Sequence, residues 1–311
     1  MVTIKEVANY KDFGKCVSIS NGTIEALVTV DLGPRIISFG FVGGQNFMCD
    51  NRVALGGRDD GNYTDFFGSG RKWESFGGHR IWLSPESYPE TYTPDDKPVK
   101  YEVTENGAVF IPEADTEIGV AKTLELSLSD DSYDMQVKMS VKNIEDEPKK
   151  FAVWALSVCS TDGTIVIPMN TNDTGLLSNR IISVWPYTDM SDARIYYGSK
   201  YLTVKQDTKA QKPIKFGFDL NCGTAYYVLG NEVLKKNYET KHPYAEYPDG
   251  GCSFETYTNN CMLEFETLSE LKTVNKGETN DLVETWSLYK KPFVVDLRSD
   301  SSIDEMIEKF N

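Results

Sequence analysis

Apolar and polar side chains alternate along many short stretches of this 311-residue chain, and a period of two is typical of β-strands. The clearest case is 133–143, where Met135, Val137, Met139 and Val141 all fall on one face. Clusters of glycine, proline and asparagine separate the stretches, as turns separate strands. The pattern predicts an all-β protein that folds as one large sandwich.

We expect strands across residues 15–48, 99–159 and 195–297, with a last strand at Phe293 to Leu297. Residues 49–75 read as loop, and a loop of that length in a compact protein is usually functional. Only the tail is predicted to be helical, because Ser302 and Glu305 form a capping box before an apolar stripe. Since no linker or repeat is visible, residues 1–311 are interpreted as a single domain.

Composition limits the partners and the compartment. The formal net charge is -15 with no basic stripe, which argues against nucleic acid and against anionic membranes. The first sixteen residues contain no apolar run typical of a signal peptide, and no stretch approaches the roughly 18 apolar residues of a membrane span. Six cysteines without a CxxC pair favour reduced thiols, and therefore a cytoplasmic protein. No glycine pattern indicates a nucleotide, so we expect no cofactor.

Carboxylates are concentrated in the stretch from Cys252 to Thr267, which is interpreted as two strands joined at an Asn-Asn turn. In the second strand Met262, Glu264 and Glu266 share one face, while the Leu263 face can be buried. The two carboxylates are then about 6.5 Å apart along the strand. Repulsion and burial would raise the pKa of one of them, so that the pair can act as acid and base. They can equally be solvated charges on an outer strand face. Glu255 and Tyr257 on the preceding strand could lie nearby.

A second cluster follows the double glycine at 77–78. His79, Arg80, Trp82 and Glu86 supply an acid/base group, a fixed cation, an aromatic ring and a carboxylate within eight residues. The alternative is a structural salt bridge in a turn. A metal held by His79, Glu86 and Glu264 is not supported by any ligand spacing, so we expect no metal.

Two later segments add candidate contacts for a substrate. Trp185 and Arg194 bound a polar and aromatic segment, whose alternative is a packed corner held by an Asp–Arg pair. His242 precedes a proline in a loop and can equally be a simply exposed residue. Tryptophans are more often core residues than platforms for sugar rings.

Several of these segments resemble the galactose mutarotase-like superfamily of aldose 1-epimerases, and in particular a bacterial branch of it. The similarity covers most of the chain and lies in the opening strands at 24–39, the Gly77–Gly78 segment and the acidic strand at 262–267 followed by the turn at 274–278. The resemblance implies a β-supersandwich with a carbohydrate site. It also implies acid–base epimerisation of a sugar or sugar acid, in which a glutamate takes a proton from the anomeric hydroxyl and a histidine protonates the ring oxygen.

Matched residue by residue, Glu264 takes the place of the catalytic glutamate, with Glu266 as the neighbouring option. The family carries its histidine in a central strand, near residues 155–160 here, and this chain has none there. His79 is therefore the candidate acid. Substrate contacts are expected from Arg80, Trp82, Glu86, Trp185, Arg194, His242 and Glu255. Two alternatives remain: a non-catalytic carbohydrate-binding protein, and a lyase or hydrolase of uronic-acid sugars that uses Arg80, Arg194 and Lys236. The oligomeric state is left open.

Overall fold

The computed structural model of the protein describes residues 1–291 and 293–310, without the side chains of residues 53 and 54. That part of the chain forms 23 strands and three α-helices, with a short 3-10 turn at Lys11–Phe13. In chain order the strands are β1 (Thr3–Val7), β2 (Cys16–Ser20), β3 (Ile24–Thr29), β4 (Ile36–Phe41), β5 (Gly57–Arg58), β6 (Trp73–Glu74), β7 (Gly78–Ser84), β8 (Lys100–Val103), β9 (Gly107–Ile111), β10 (Val120–Leu128), β11 (Asp134–Asn143), β12 (Lys149–Cys159), β13 (Thr164–Pro168), β14 (Ile182–Val184), β15 (Ile195–Tyr197), β16 (Tyr201–Lys205), β17 (Ile214–Phe218), β18 (Thr224–Leu229), β19 (Glu232–Tyr238), β20 (Phe254–Thr258), β21 (Leu263–Leu268), β22 (Lys272–Val274) and β23 (Thr279–Lys290). The helices are α1 (Arg52–Leu55), α2 (Gly61–Phe67) and α3 (Asp300–Glu308).

Two large antiparallel sheets contain nearly all of these strands. The first has eleven strands in the order β1-β2-β3-β4-β7-β12-β21-β20-β17-β14, with β22 paired to β12. The second has ten, in the order β15-β16-β13-β18-β19-β23-β11-β10-β9-β8. Strands β5 and β6 form a separate two-stranded sheet. The prediction of a large all-β sandwich with a short C-terminal helix is confirmed.

The core lies between the two sheets and follows the alternation of the sequence. On β11 the residues at odd positions from 135 to 141 are fully buried, while their neighbours face outward. Phe39 of the first sheet packs edge-to-face on Trp286 of the second, with ring centroids 5.3 Å apart. Because successive side chains on a strand point to opposite sides, the outer face of the first sheet is left to carry other groups.

Three local predictions are wrong. Phe293 to Leu297 is not a strand, because Phe293, Val295 and Leu297 instead pack into a small cluster beside Ile303 on α3. Helix α3 begins at Asp300, and its cap is Ser299, whose side chain accepts a hydrogen bond from the Ser302 amide. The segment 49–75 is not all loop, since it contains α1, α2, β5 and β6.

Candidate functional site

The site is built on the outer face of the first sheet, where strand register aligns side chains from distant parts of the chain. Leu156 on β12 is paired with Arg80 on β7 and with Glu266 on β21. Glu266 is in turn opposite Glu255 on β20. One row across four strands therefore carries a cation, an aliphatic side chain and two carboxylates.

A cavity of about 640 Å³ covers this face, which is within the usual size range for small-molecule sites. The segment from Leu55 to Arg58 borders it on one side, and Trp185, Tyr187 and Pro213 border it on the other. Gly77 and Gly78 bring the chain into β7 with φ of +77° and +64°. A Cβ at either glycine would meet a backbone carbonyl oxygen, at 2.1 Å and 2.6 Å. These two glycines therefore permit the close approach from which Arg80 and Trp82 enter the cavity.

Aromatic rings make up much of the cavity wall. Trp82 packs edge-to-face on Trp154 with centroids 5.4 Å apart, and Trp73 packs on Tyr92 at 5.1 Å. Such rings offer flat apolar faces beside polar edges, which suits the apolar faces of a sugar ring. The aromatic residues that line the cavity are Trp73, Trp82, Tyr92, Trp154, Trp185, Tyr187 and Tyr257.

Glu264 is the carboxylate that projects from β21 into the cavity, beside Met262. Burial and then the charge of Glu266 raise its pKa to about 8, against the opposing influence of Arg80 and Lys215. Near neutral pH such a group has both protonated and ionised forms available. That is the property required of a general acid or base.

Lys215 and two buried carboxylates form a cluster at the back of the cavity. Its ammonium lies 2.8 Å from Glu255 and 3.6 Å from Glu266. It also sits 4.7 Å above the rings of Trp154 and Trp185. Burial disfavours the charged lysine, but the two glutamates outweigh it and leave its pKa well above the ordinary value. Burial also disfavours the charged form of both carboxyls and therefore raises their pKa. The cluster is thus a cation paired with two acids, and the simultaneous ionisation of both acids is unfavourable.

Arg80 lies in the same cavity but has no such partner. Its side chain is 2% exposed, and its guanidinium packs 4.2 Å from Trp82 and 5.1 Å from Trp73. Within the described residues, Nε and Nη1 have no hydrogen-bond acceptor. Burial and then nearby Arg35 lower its pKa to about 10, so the group remains cationic at neutral pH.

Of the predicted substrate contacts, the structure brings Arg80, Trp82, Glu86 and Trp185 together around Glu264. A carboxylate oxygen of Glu86 accepts a hydrogen bond from the hydroxyl of Tyr92.

His79 does not reach the cavity, and its role as the acid in this cavity is corrected. It follows Gly78 on β7, so its ring points to the opposite side from Arg80, into the core. Nδ1 lies 2.8 Å from the hydroxyl of Ser157 and Nε2 lies 3.2 Å from the sulfur of Met139. Burial and then the charge of Lys236 hold its pKa well below the ordinary value. Lys236 lies in the same buried network, where it pairs with Glu284 at 3.2 Å, and is therefore not a sugar contact either.

Four further predicted residues lie outside the cavity lining. Arg194 is paired with Asp192 at 2.8 Å, which is the packed corner named as the alternative. The ring of His242 stacks on Tyr247 at 4.2 Å. Glu255 and Glu266 lie behind the cavity wall, in the Lys215 cluster, where they are 1% and 0% exposed.

The sequence does not single out Lys215, Trp73 or Tyr187 as site residues, and the expectation that tryptophans are core residues applies to Trp154 as well. A signal for Lys215 exists, because it stands between Ile214 and Phe216 on a short apolar strand. Alternation then directs the lysine to the face opposite the core. Trp73 and Tyr187 belong to segments whose approach to the sheet no local pattern indicates.

The described residues contain neither a cluster of metal-ligating side chains nor a membrane-spanning helix. No group of three or more His, Cys, Asp or Glu side chains in them is arranged to hold a metal ion. None of their helices is long and apolar enough to cross a membrane.

Comparison with known proteins identifies the fold. No family model and no curated protein sequence matches the chain. A candidate aldose 1-epimerase from Klebsiella pneumoniae superposes with a TM-score of 0.60 at 11% identity, over 98% of this chain and 86% of that one. A galactose mutarotase-like protein from Clostridium acetobutylicum superposes with a TM-score of 0.52 at 13% identity, over 93% and 99%.

A third structure is longer. The TPR-domain-containing protein from Parabacteroides distasonis superposes with a TM-score of 0.59 at 14% identity over 92% of this chain, which spans only 48% of that protein. At such identities the likeness is one of fold. The chain has the galactose mutarotase-like β-sandwich fold, and the cavity lies on its first sheet.

Proposed function

We propose that this chain binds a sugar in the aromatic cavity and interconverts its anomers through proton transfer by Glu264. One observation carries the proposal: a carboxyl group with a pKa of about 8 projects into a cavity walled by tryptophan and tyrosine rings. The fold supports it, because structures named as candidate aldose 1-epimerases and galactose mutarotase-like proteins share the fold.

Anomer interconversion takes one proton from the anomeric hydroxyl and delivers one to the ring oxygen, so the total number of protons is unchanged. Ionised Glu264 takes the first proton. With His79 buried in the core, we assign the second transfer to the ammonium of Lys215, which lines the cavity. The ring oxygen becomes strongly basic as its bond to the anomeric carbon breaks, so even an ammonium with a raised pKa can protonate it. The aldehyde then rotates and recloses on either face.

The test is Glu264→Gln, which preserves size and polarity but cannot take a proton. Exchange NMR on a panel of aldoses and uronic acids should show interconversion in the parent protein and none above the uncatalysed rate in the variant. His79→Gln is the matched control, because its ring is on the other side of the sheet and the rate per folded molecule should be retained. Unchanged rates in the glutamine variant of Glu264 reject the proposal.

The second candidate is a non-catalytic carbohydrate-binding protein. The observation in its favour is that the central strand presents Trp154, Leu156 and Val158 on the outer face, all three apolar. This candidate predicts that a sugar binds with equal Kd to the parent and to Glu264→Gln, and that no sugar of the panel is turned over. A lyase or hydrolase of uronic-acid sugars is the third, favoured by unpaired Arg80. For the lyase, release of unsaturated product would appear as ultraviolet absorbance.

We also propose a cytoplasmic location. All six cysteines are free thiols, as a reducing compartment requires.

A further inference from the structure

Resting on the proposed sugar site, we propose that the sugar carries a carboxylate and that Arg80 receives it. The substrate class is then the uronic acids rather than neutral aldoses. The three buried arginines of the described chain differ in how they are paired.

Two of the three are paired with a carboxylate of the protein itself, although each keeps one nitrogen without an acceptor in the described residues, Nε of Arg35 and Nη1 of Arg194. Arg35 is fully buried and donates to both oxygens of Asp95 at 2.6 Å and to the carbonyl of Gly77 at 3.1 Å. Arg194 donates to Asp192 and to the carbonyl of Lys212 at 2.7 Å. Buried charges are normally paired in this way, because an unpaired one loses its hydration without compensation.

Arg80 departs from that pattern. It is as buried as the other two, yet no carboxylate of the described residues forms an ion pair with it, and two of its nitrogens have no acceptor. The rings of Trp73 and Trp82 hold the guanidinium plane in place. A rigid, desolvated guanidinium that lines a cavity provides an acceptor site of defined geometry for an anion.

Charge balance favours a carboxylate over a phosphate. The other buried cation at the cavity, Lys215, is already matched by Glu255. Arg58 is exposed at the rim, where it stacks 4.7 Å from Tyr92. One unmatched buried charge therefore remains, which fits a monoanionic carboxylate better than a dianionic phosphate.

The position of Arg80 fits a uronic acid that presents its anomeric carbon to Glu264. Strands β7 and β21 are both neighbours of β12, so the two side chains rise from strands about 10 Å apart. In a pyranose C1 and C5 are the two carbons bonded to the ring oxygen, so the anomeric hydroxyl and the carboxylate at C6 project on either side of that oxygen. The sugar can thus meet the base and the guanidinium at the same time.

The experiment is calorimetric binding at 0.15 M salt with matched sets of D-glucose, D-glucuronate and D-glucose 6-phosphate, and the corresponding galactose and mannose sets. In at least one set the uronate should bind about tenfold or more tightly than the neutral sugar, as charge-assisted hydrogen bonds predict. Arg80→Met should reduce that preference to within about twofold. Arg71→Met removes the same charge outside the cavity, where Arg71 pairs with Asp96, and should leave the preference unchanged.

Three results overturn the assignment: equal binding of uronate and neutral sugar in every set, a preference that survives Arg80→Met, or tighter binding of a 6-phosphate than of its uronate. Failure of the catalytic proposal looks different. If Glu264→Gln still interconverts anomers while Arg80→Met loses the uronate preference, the carboxylate assignment stands and the proton-transfer role falls. If Glu264→Gln no longer interconverts anomers while the uronate preference survives Arg80→Met, only the carboxylate assignment falls.

Discussion

The indole N–H of Trp154 donates to a carboxylate oxygen of Glu266 at 2.7 Å. The face of the same ring lies 4.7 Å from the ammonium of Lys215. One side chain thus satisfies a buried acid with its edge and a buried cation with its face. The other oxygen of Glu266 has no partner in the described residues, so the indole supplies much of the compensation for burying this carboxyl.

Trp154→Phe should lower the free energy of unfolding by about 1–3 kcal/mol, because it removes the donor to Glu266 and leaves a buried acceptor unsatisfied. The aromatic face over Lys215 would persist. Trp185→Phe is the control, since Trp185 stacks on the same ammonium at 4.7 Å and is half-buried, and we expect it to cost less than about 1 kcal/mol. Urea unfolding of the two variants provides the comparison, and equal losses would contradict this account.

How far the sequence predicts this site is clearest at β7. A strict period of two would have assigned Arg80 and Trp82 to one side and His79 to the other. Proximity in the sequence after the double glycine instead predicts one shared cluster, and that prediction does not separate the two faces of the strand. The burial of His79 depends on Ser157 and Met139, which are 78 and 60 residues away in sequence, and no local pattern reports such contacts.

The acidic hairpin shows the same limit. Alternation correctly places Glu264 and Glu266 on the outer face of β21, because Leu263 and Phe265 are buried in the core. It cannot show that Lys215 lies against Glu266, since that contact is set by the order of β21, β20 and β17 in the sheet. Strand periodicity therefore predicts the faces, whereas strand order decides which of two neighbouring acids faces the cavity and which is held behind it.

Lys215→Met should be among the most destabilising changes at the site. It leaves Glu255 and Glu266 buried without their cation, and breaking a buried pair from one side typically costs about 3–5 kcal/mol. The double variant Lys215→Met/Glu255→Gln should recover part of that loss, because one of the two stranded acids is then neutral. Lys200→Met breaks a half-exposed pair with Asp304 and should cost less than about 1 kcal/mol. Chemical unfolding at pH 7 measures all three, and similar losses for Lys200→Met and Lys215→Met would contradict the prediction.

The raised pKa of Glu264 makes stability depend on pH with a defined sign. Its ordinary pKa is 4.5 and its pKa in the fold is about 8, so between these values the folded protein holds a proton that the unfolded chain releases. Stability should therefore fall as pH rises through this window, by at most about 1.4 kcal/mol per pH unit from this group. Below and above the window the contribution is constant.

Glu264→Gln tests that contribution, because the variant lacks the titrating carboxyl while the buried acids behind the cavity are present in both proteins. If the glutamine mimics the protonated acid fully, parent and variant have equal free energies of unfolding near pH 4, and the variant becomes the more stable protein as pH rises to 9. If it mimics the acid less well, the parent is the more stable protein near pH 4 and loses that advantage as pH rises. In either case the difference must change across the window. A difference that stays constant with pH would show that Glu264 titrates normally. The rate of anomer interconversion in the parent should rise with pH through about 8, because the base must be ionised.

Arg80→Met should stabilise the fold while it abolishes the preference for acidic sugars. The guanidinium is buried with two nitrogens lacking acceptors, and methionine fills similar space without that desolvation penalty. The contacts of the guanidinium with Trp73 and Trp82 offset part of the penalty. We expect a net gain of about 1 kcal/mol in the free energy of unfolding, since each buried unsatisfied donor costs about 1–3 kcal/mol.

Arg35→Met is the matched contrast, because Arg35 is equally buried but bound to Asp95 through both carboxylate oxygens. Its removal strands a carboxylate that is 22% exposed, so the free energy of unfolding should fall by about 2–4 kcal/mol. Two arginines of similar burial should thus respond with opposite signs in the same unfolding experiment, because only one of them is paired within the protein. If Arg80→Met destabilises as much as Arg35→Met, the Arg80 guanidinium is already satisfied by the fold and is not held available for a ligand.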